Sequence, residues 1–271
     1  MKQQYGLNIL LLCLSVLMTG CRTDDIIVYG EEHDTGVESK ESGLRGMYVL
    51  CEGNMGSNKC TLDFLDLSAR DSTIRYRRNI YAERNPRTVK ELGDVGNDIG
   101  IYGSKLWLVI NCSNKVEVCT ADSCRRLGQV DIPNCRSLAF DGRFAYVSSF
   151  VGPVVIDGDA PLGRVYKIDT LSLQKVDSVV VGYQPEELAV VGRRLYVANS
   201  GGYRVPEYDR TVSVIDLTTF KEERQLDVVI NLQHCRADRL GQLWLTSRGD
   251  YGDEGSRLYV IKPTPQGELQ W

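Results

Sequence analysis

Histidine is almost absent: the 271 residues hold two, His33 and His234. His33 lies in a polar N-terminal stretch, so a folded body has at most one imidazole for general-base work, which argues against Ser-His or Cys-His catalysis. The nine cysteines include no Cys-x-x-Cys spacing, which argues against zinc and thioredoxin-type chemistry. Positive charge is not in excess either. With a formal net charge of −4, no global field draws in nucleic acid, and a nucleic-acid partner is not expected. Beyond residue 20 no hydrophobic run approaches the ~20 residues needed to span a bilayer, and no 3.6-residue periodicity marks a helical repeat.

What is present begins with a short apolar run behind Lys2 that ends in Leu17-Met18-Thr19-Gly20-Cys21. A charged start, an apolar stretch and small residues before a cysteine make a secretory signal, and the last residues read as a lipobox. Residues 1–20 are therefore expected to be a lipoprotein signal peptide and Cys21 the lipidation site. Acyl chains such as palmitate on Cys21 would hold the chain to outer-membrane lipid, since two or more chains anchor stably where one is marginal. Residues 21–45 are rich in Asp, Glu, Ser and Gly, a composition that buries too little surface to fold, and are expected to form an acidic flexible tether. Residues 46–271 remain as one folded domain.

That domain is organised by a repeat. Met47-Tyr48-Val49-Leu50, Leu106-Trp107-Leu108-Val109, Ala145-Tyr146-Val147-Ser148, Leu195-Tyr196-Val197-Ala198 and Leu243-Trp244-Leu245-Thr246 are variants of one aromatic-aliphatic strand. The aromatics at 107, 146, 196 and 244 recur at the ~40–50 residues of a propeller blade. Each is followed by an alternating strand, such as Val165-Tyr166-Lys167-Ile168-Asp169 or Val212-Ser213-Val214-Ile215-Asp216, the period-2 pattern of a half-buried strand. Most are preceded by an inner strand that turns at glycine, as in Leu188-Ala189-Val190-Val191-Gly192. Four antiparallel strands per unit without helices predict an all-β chain, a β-propeller. The first unit begins at its second strand and the last stops after its third, which gives about five blades. Open sheet edges would then template association, so an incomplete ring, truncated at the C-terminus, is expected. The basic stretch from Arg75 to Lys90 reads as the solvated face of an outer strand.

The tracts Tyr196-Val197-Ala198-Asn199-Ser200-Gly201-Gly202-Tyr203, Tyr208 to Asp216 and Thr246-Ser247-Arg248-Gly249-Asp250-Tyr251-Gly252, with the opening strand Tyr48 to Asn54, resemble YncE-like propellers, in particular the DUF5074-type surface lipoproteins of Bacteroidota. The resemblance covers roughly 46–262 and implies a ring of seven blades. Asp24 and Asp25 behind Cys21 are similar to the acidic signal that sends such lipoproteins to the cell surface. It further implies localisation at the outer membrane, capture of a polar nutrient such as a glycan or cobalamin-like molecule, and a TonB-dependent transporter as partner.

In a blade, the loop after the second strand and the link to the next blade emerge on one face. Polar residues gather there: Glu52, Asn54, Asn111, Asn199, Ser200, Arg248 and Tyr251 after second strands, Arg136 with Asn97, Asp98, Asn134, Gln184, Glu186, Gln233 and His234 in the links. Amides, hydroxyls and a few charges around a channel mouth suit a hydroxylated or amide-bearing ligand, while Asn, Ser and Gly also make turns. Asp250, Asp253 and Glu254 in a glycine-containing loop are the candidate calcium ligands, without a full D-x-D-x-D-G pattern. Cys51 with Cys60 and Cys119 with Cys124 bracket hairpin loops and are the first candidate disulfides. A hydrolase or lactonase using Glu52, Asp98, Arg248 or His234, and a protein-interaction platform through Tyr203 to Tyr208, are the alternative readings.

Overall fold

A computed structural model describes residues 30–38, 44–68, 73–88, 91–264 and 269–270. The signal segment and Cys21 lie outside the described residues. Five four-stranded antiparallel sheets follow one another along the chain. The first contains β1 (Glu31–Glu38), β2 (Gly46–Cys51), β3 (Thr61–Asp66) and β4 (Thr73–Arg78) in the order β1-β4-β3-β2. A short helix, α1 (Ile80–Arg84), leads to the second: β5 (Gly96–Tyr102), β6 (Lys105–Ile110), β7 (Lys115–Thr120) and β8 (Arg126–Asp131). The third has β9 (Cys135–Asp141), β10 (Phe144–Ser149), β11 (Leu162–Asp169) and β12 (Lys175–Tyr183). The fourth has β13 (Pro185–Val191), β14 (Arg194–Asn199), β15 (Thr211–Asp216) and β16 (Lys221–Asp227). The fifth has β17 (Leu232–Ala237), β18 (Leu243–Ser247), β19 (Arg257–Pro263) and the two-residue β20 (Leu269–Gln270). Sheets two to five pair strictly in chain order, the blade pattern of a β-propeller.

β6, β7, β10, β14 and β15 are buried on both faces, and four apolar clusters fill the gaps between successive sheets. Leu62 and Phe64 pack with Leu106, Leu108 and Cys119 between sheets one and two. Trp107, Val116 and Val118 meet Leu138, Ala145 and Val147 between two and three. Tyr146 and Val165 meet Leu195, Val197 and Phe220 in the next gap, and Tyr196 and Val214 meet Leu243 and Leu245 in the last. The repeated aromatic thus points at the following sheet, and Trp107, Tyr146 and Tyr196 are 0–1% exposed. Trp244, at the same register in the fifth sheet, is 40% exposed, because among the described residues no sheet covers that side. The five sheets do not close into a ring. As the spacing predicts, among the described residues the first sheet has no strand inside β2, its unpaired edge.

Three expectations are corrected. Residues 31–38, assigned to the tether, form β1 and pair with β4, with Glu31, Glu32 and Asp34 facing Arg78, Arg77 and Arg75. Arg77 lies 3.0 Å from Glu32 and 3.6 Å from Glu83. The basic strand is therefore not a wholly solvated face: it is an edge that an acidic segment completes. The last sheet also reaches a fourth strand, β20, held by the pairs Lys262–Gln270 and Pro263–Leu269.

Candidate functional site

One loop face collects the turns after the second strands and the links between sheets, and a repeated clasp builds it. The residue just before each inner strand has a left-handed backbone: Val95, Asn134, Gln184 and Asn231 have φ of 59°, 41°, 46° and 53°. The carbonyls of all four receive a backbone N–H from the end of the second strand, donated by Asn111 (2.8 Å), Phe150 (3.1 Å), Ser200 (3.2 Å) and Arg248 (3.1 Å). Where the left-handed residue carries an amide, its side chain spans the same gap. Asn134 Nδ2 donates to the Gly152 carbonyl at 2.7 Å and Asn231 Nδ2 to that of Gly249 at 2.9 Å, while Gln184 Oε1 accepts from Tyr203 N at 2.7 Å. Ser200 Oγ and Ser247 Oγ donate to the carbonyls of Gln184 (2.8 Å) and Ile230 (2.7 Å) and accept from Gly202 N and Gly249 N, both at 3.0 Å. Ser149 repeats both bonds, with Pro133 and Val151.

This clasp reassigns three of the expected ligand contacts. Asn111, 1% exposed, donates to Asn134 Oδ1 and to the Cys135 carbonyl. Asn199, fully buried, donates to Thr211 Oγ1 and Ser213 Oγ at 2.9 Å each, and Ser200 is spent as described. Their donors serve buried backbone and neighbouring side chains, as most buried polar groups do, while Asn199 Oδ1 is buried without a hydrogen-bond partner. Glu52 and Asn54 are exposed on the first loop, where their carbonyls take the N–H groups of Gly96 (3.1 Å) and Ser57 (3.0 Å).

The inner strands β5, β9, β13 and β17 stand side by side and begin at this face. Their second residues, Asn97, Arg136, Glu186 and Gln233, are equivalent, and the next set contains Asp98, Ser137, Glu187 and His234. Both sets link around the axis. Asn97 Nδ2 donates to the Arg136 carbonyl at 2.6 Å, and Arg136 forks onto Glu186 at 2.9 and 3.2 Å while its guanidinium lies 4.6 Å from the Phe150 ring centre. Glu187 receives Arg236 Nη2 at 2.6 Å, Arg236 Nε at 3.0 Å and His234 Nδ1 at 3.1 Å. Asp98 accepts from Ser137 Oγ at 2.5 Å and from the N–H groups of Leu138 and Ile99 at 2.8 Å. Burial raises the Asp98 carboxyl above its ordinary range, against those hydrogen bonds and the field of Arg236. Fixed dipoles and charges at a shaft mouth, desolvated on one side, are the means by which a site orients a polar ligand.

Above this mouth, loops 150–161 and 200–210 are strapped together. Asp157 N donates to the Tyr203 carbonyl at 3.0 Å, Arg204 Nε reaches that of Gly158 at 3.1 Å, and Phe150 meets Tyr203 edge-on at 6.2 Å. Arg248 and Tyr251 lie on the fifth-sheet loop, both exposed, Tyr251 by 71%. Asp250 spends Oδ1 on the N–H groups of Gly252 (2.7 Å) and Glu254 (2.9 Å), shaping its own turn. Among the described residues no group of three or more His, Cys, Asp or Glu side chains converges as a metal ion requires. Beside the loops of the first three sheets lies a cavity of about 420 Å³ lined by Met55, Asn111, Cys112, Asn134 and Val154. Glu187 and Arg236 are site residues that the sequence reading missed. For Arg236 the available signal was a charge where the equivalent residues are Gly100, Ala139 and Ala189; Glu187 shares its position with Asp98, Ser137 and His234.

No family model and no curated protein matches the chain. Among solved structures it is similar to hydrazine synthase of Kuenenia stuttgartiensis, with a TM-score of 0.60 and 15% identity over 83% of this chain and 62% of that one. It is also similar to the computationally designed Ika8 protein, with a TM-score of 0.51 and 11% identity over 79% of this chain and 55% of that one. The chain therefore spans less than two thirds of either structure. At these identities the likeness supports the propeller fold alone.

Proposed function

We propose that the chain is a ligand-binding β-propeller, held to the outer membrane by an acylated Cys21, that captures a polar nutrient beside a TonB-dependent importer. The observation that carries ligand capture is the shaft mouth, where Arg136, Glu186, Glu187, His234 and Arg236 hold one another in place at equivalent starts of adjacent inner strands. A carbohydrate or a ring bearing amides supplies the hydroxyl or amide groups that such donors and acceptors engage. Arg248 adds a forked donor and Tyr251 a flat apolar face at the rim. Anchoring and the importer rest on the lipobox and the family resemblance of the sequence.

The test is a screen of glycans and cobalamin by calorimetry, followed by Arg248→Ala with Tyr251→Ala. The double variant is expected to lose about 2 kcal/mol or more of affinity for the ligand found with an unchanged melting temperature, since both side chains are exposed. Unaltered binding would remove these two residues from the site. A second reading, a hydrolase on the same scaffold, has the His234–Glu187 pair in its favour, because a carboxylate on Nδ1 leaves Nε2 of an exposed imidazole available as a base. Product release that His234→Ala abolishes while binding persists would select that reading.

A further inference from the structure

We propose that Cys119 and Cys124 form a disulfide that locks the β7–β8 hairpin, and that Cys51 and Cys60, the other cysteines bracketing a turn, stay unbridged. The proposal rests on the export reading, because an oxidising compartment supplies the oxidant.

The two pairs are distinguished by the face on which each side chain lies. Cys51 pairs with Thr61 in the ladder, and side chains one residue apart on a strand point to opposite faces. The Cys51 thiol lies 3.3 Å from Asp63 Oδ2, on the uncovered side of the first sheet. Cys60 is on the other side with Leu62 and Leu92, and its sulfur fills the space where a Cβ on Gly96 would come within 2.6 Å. A disulfide needs Cβ atoms roughly 3.5–4.5 Å apart and facing one another, which opposite faces of one sheet do not allow. Cys119 and Cys124 belong to one buried cluster with Ile80, Tyr81 and Leu106, neither has exposed surface, and Cys124 is the neighbour that most raises the Cys119 thiol. The turn between them is closed by Thr120 N to the Arg125 carbonyl (2.8 Å) and Cys124 N to the Thr120 carbonyl (3.0 Å).

Bond formation removes two protons and two electrons from the thiol pair and joins the sulfurs. The acceptor is a disulfide oxidant, which is reduced to its dithiol. The Cys124 neighbour and burial both hold the Cys119 thiol well above its ordinary range, so the folded, buried pair supplies little thiolate to attack a disulfide oxidant, and the bond closes while the hairpin forms. Its structural effect falls on the link between the first two sheets. Asn85 Nδ2 donates to the Cys124 carbonyl at 2.9 Å, and Asn85 Oδ1 accepts from Arg126 N at 2.8 Å, so a locked turn is the dock for the segment that follows α1.

The full chain, unfolded under reducing conditions, is refolded in mixed reduced and oxidised glutathione, alkylated in denaturant and digested for mass spectrometry. A Cys119–Cys124 linkage, lighter than the dithiol by two hydrogens, with Cys51 and Cys60 both alkylated, is the expected result. Full alkylation of Cys119 and Cys124, or their linkage to other cysteines, overturns the proposal. The same digest is made of protein recovered from cells producing the full chain with its leader. A bond present after refolding and absent from that sample supports the disulfide and overturns the export reading instead.

Discussion

An aspartate ends the third strand in three sheets and folds the turn behind it. Asp66 Oδ1 accepts from Ser68 N at 2.9 Å, Asp169 Oδ1 from Leu171 N and Ser172 N at 2.9 and 3.0 Å, and Asp216 Oδ1 from Thr218 N and Thr219 N at 2.9 and 2.7 Å. The Ser172 and Thr219 amides are the largest of the influences that hold the Asp169 and Asp216 carboxyls below their ordinary value of 3.8. A carboxyl with a lower value in the folded state stabilises the fold above its unfolded value, and that contribution disappears as pH falls from there through the folded value. Asp169→Asn with Asp216→Asn keeps the accepting oxygen and removes the titration, so its melting temperature should fall less steeply than the parent's below about pH 4. Parallel curves would show that these carboxylates do not carry the acid sensitivity. At this scale the sequence was ambiguous. Ser200 and Asn199 have the chemistry of ligand contacts, but nothing in their spacing reveals that buried backbone groups claim them first.

The clasp is the unit that repeats at the scale of elements, and it explains why polar residues recur at each second-strand end. Ser200→Ala and Ser247→Ala each remove a donor to a carbonyl and an acceptor for an N–H in a buried setting, so each should cost about 1–3 kcal/mol in chemical denaturation. Arg248→Ala, one residue from Ser247 and pointing into solvent, should stay within about 0.5 kcal/mol of the parent. Equal effects at Ser247 and Arg248 would show that the bonds of the clasp do not matter. Second and third strands were legible because at least one face of each packs into the core between sheets, which imposes a pattern. β1 was not, since residues 31–37 are all exposed: an outermost strand held by its backbone ladder and by acid–base pairs leaves no hydrophobic alternation.

For the whole molecule, the aromatic repeat made the number of sheets and the missing inner strand readable, because each sheet must offer one large side chain to the next. The charged shaft was less readable, since Glu187 and Arg236 meet across strands 49 positions apart and no local pattern encodes that. The open ring leaves Trp244, Leu258 and Val260 exposed on the last sheet and the β2 edge unpaired at the first, surfaces that promote association. The chain is expected to elute larger than a monomer by light scattering, and Trp244→Ser with Leu258→Ser to shift it toward monomer. A parent that is already monomeric would overturn this. The same exposed indole gives the molecule an optical handle. Of its three tryptophans, Trp107 is sealed at 0% and Trp244 stands 40% open at the boundary of the array. The emission lost in Trp244→Phe is therefore a signal that acrylamide reaches, and its shielding in a titration would mark, in real time, anything that settles on the uncovered sheet.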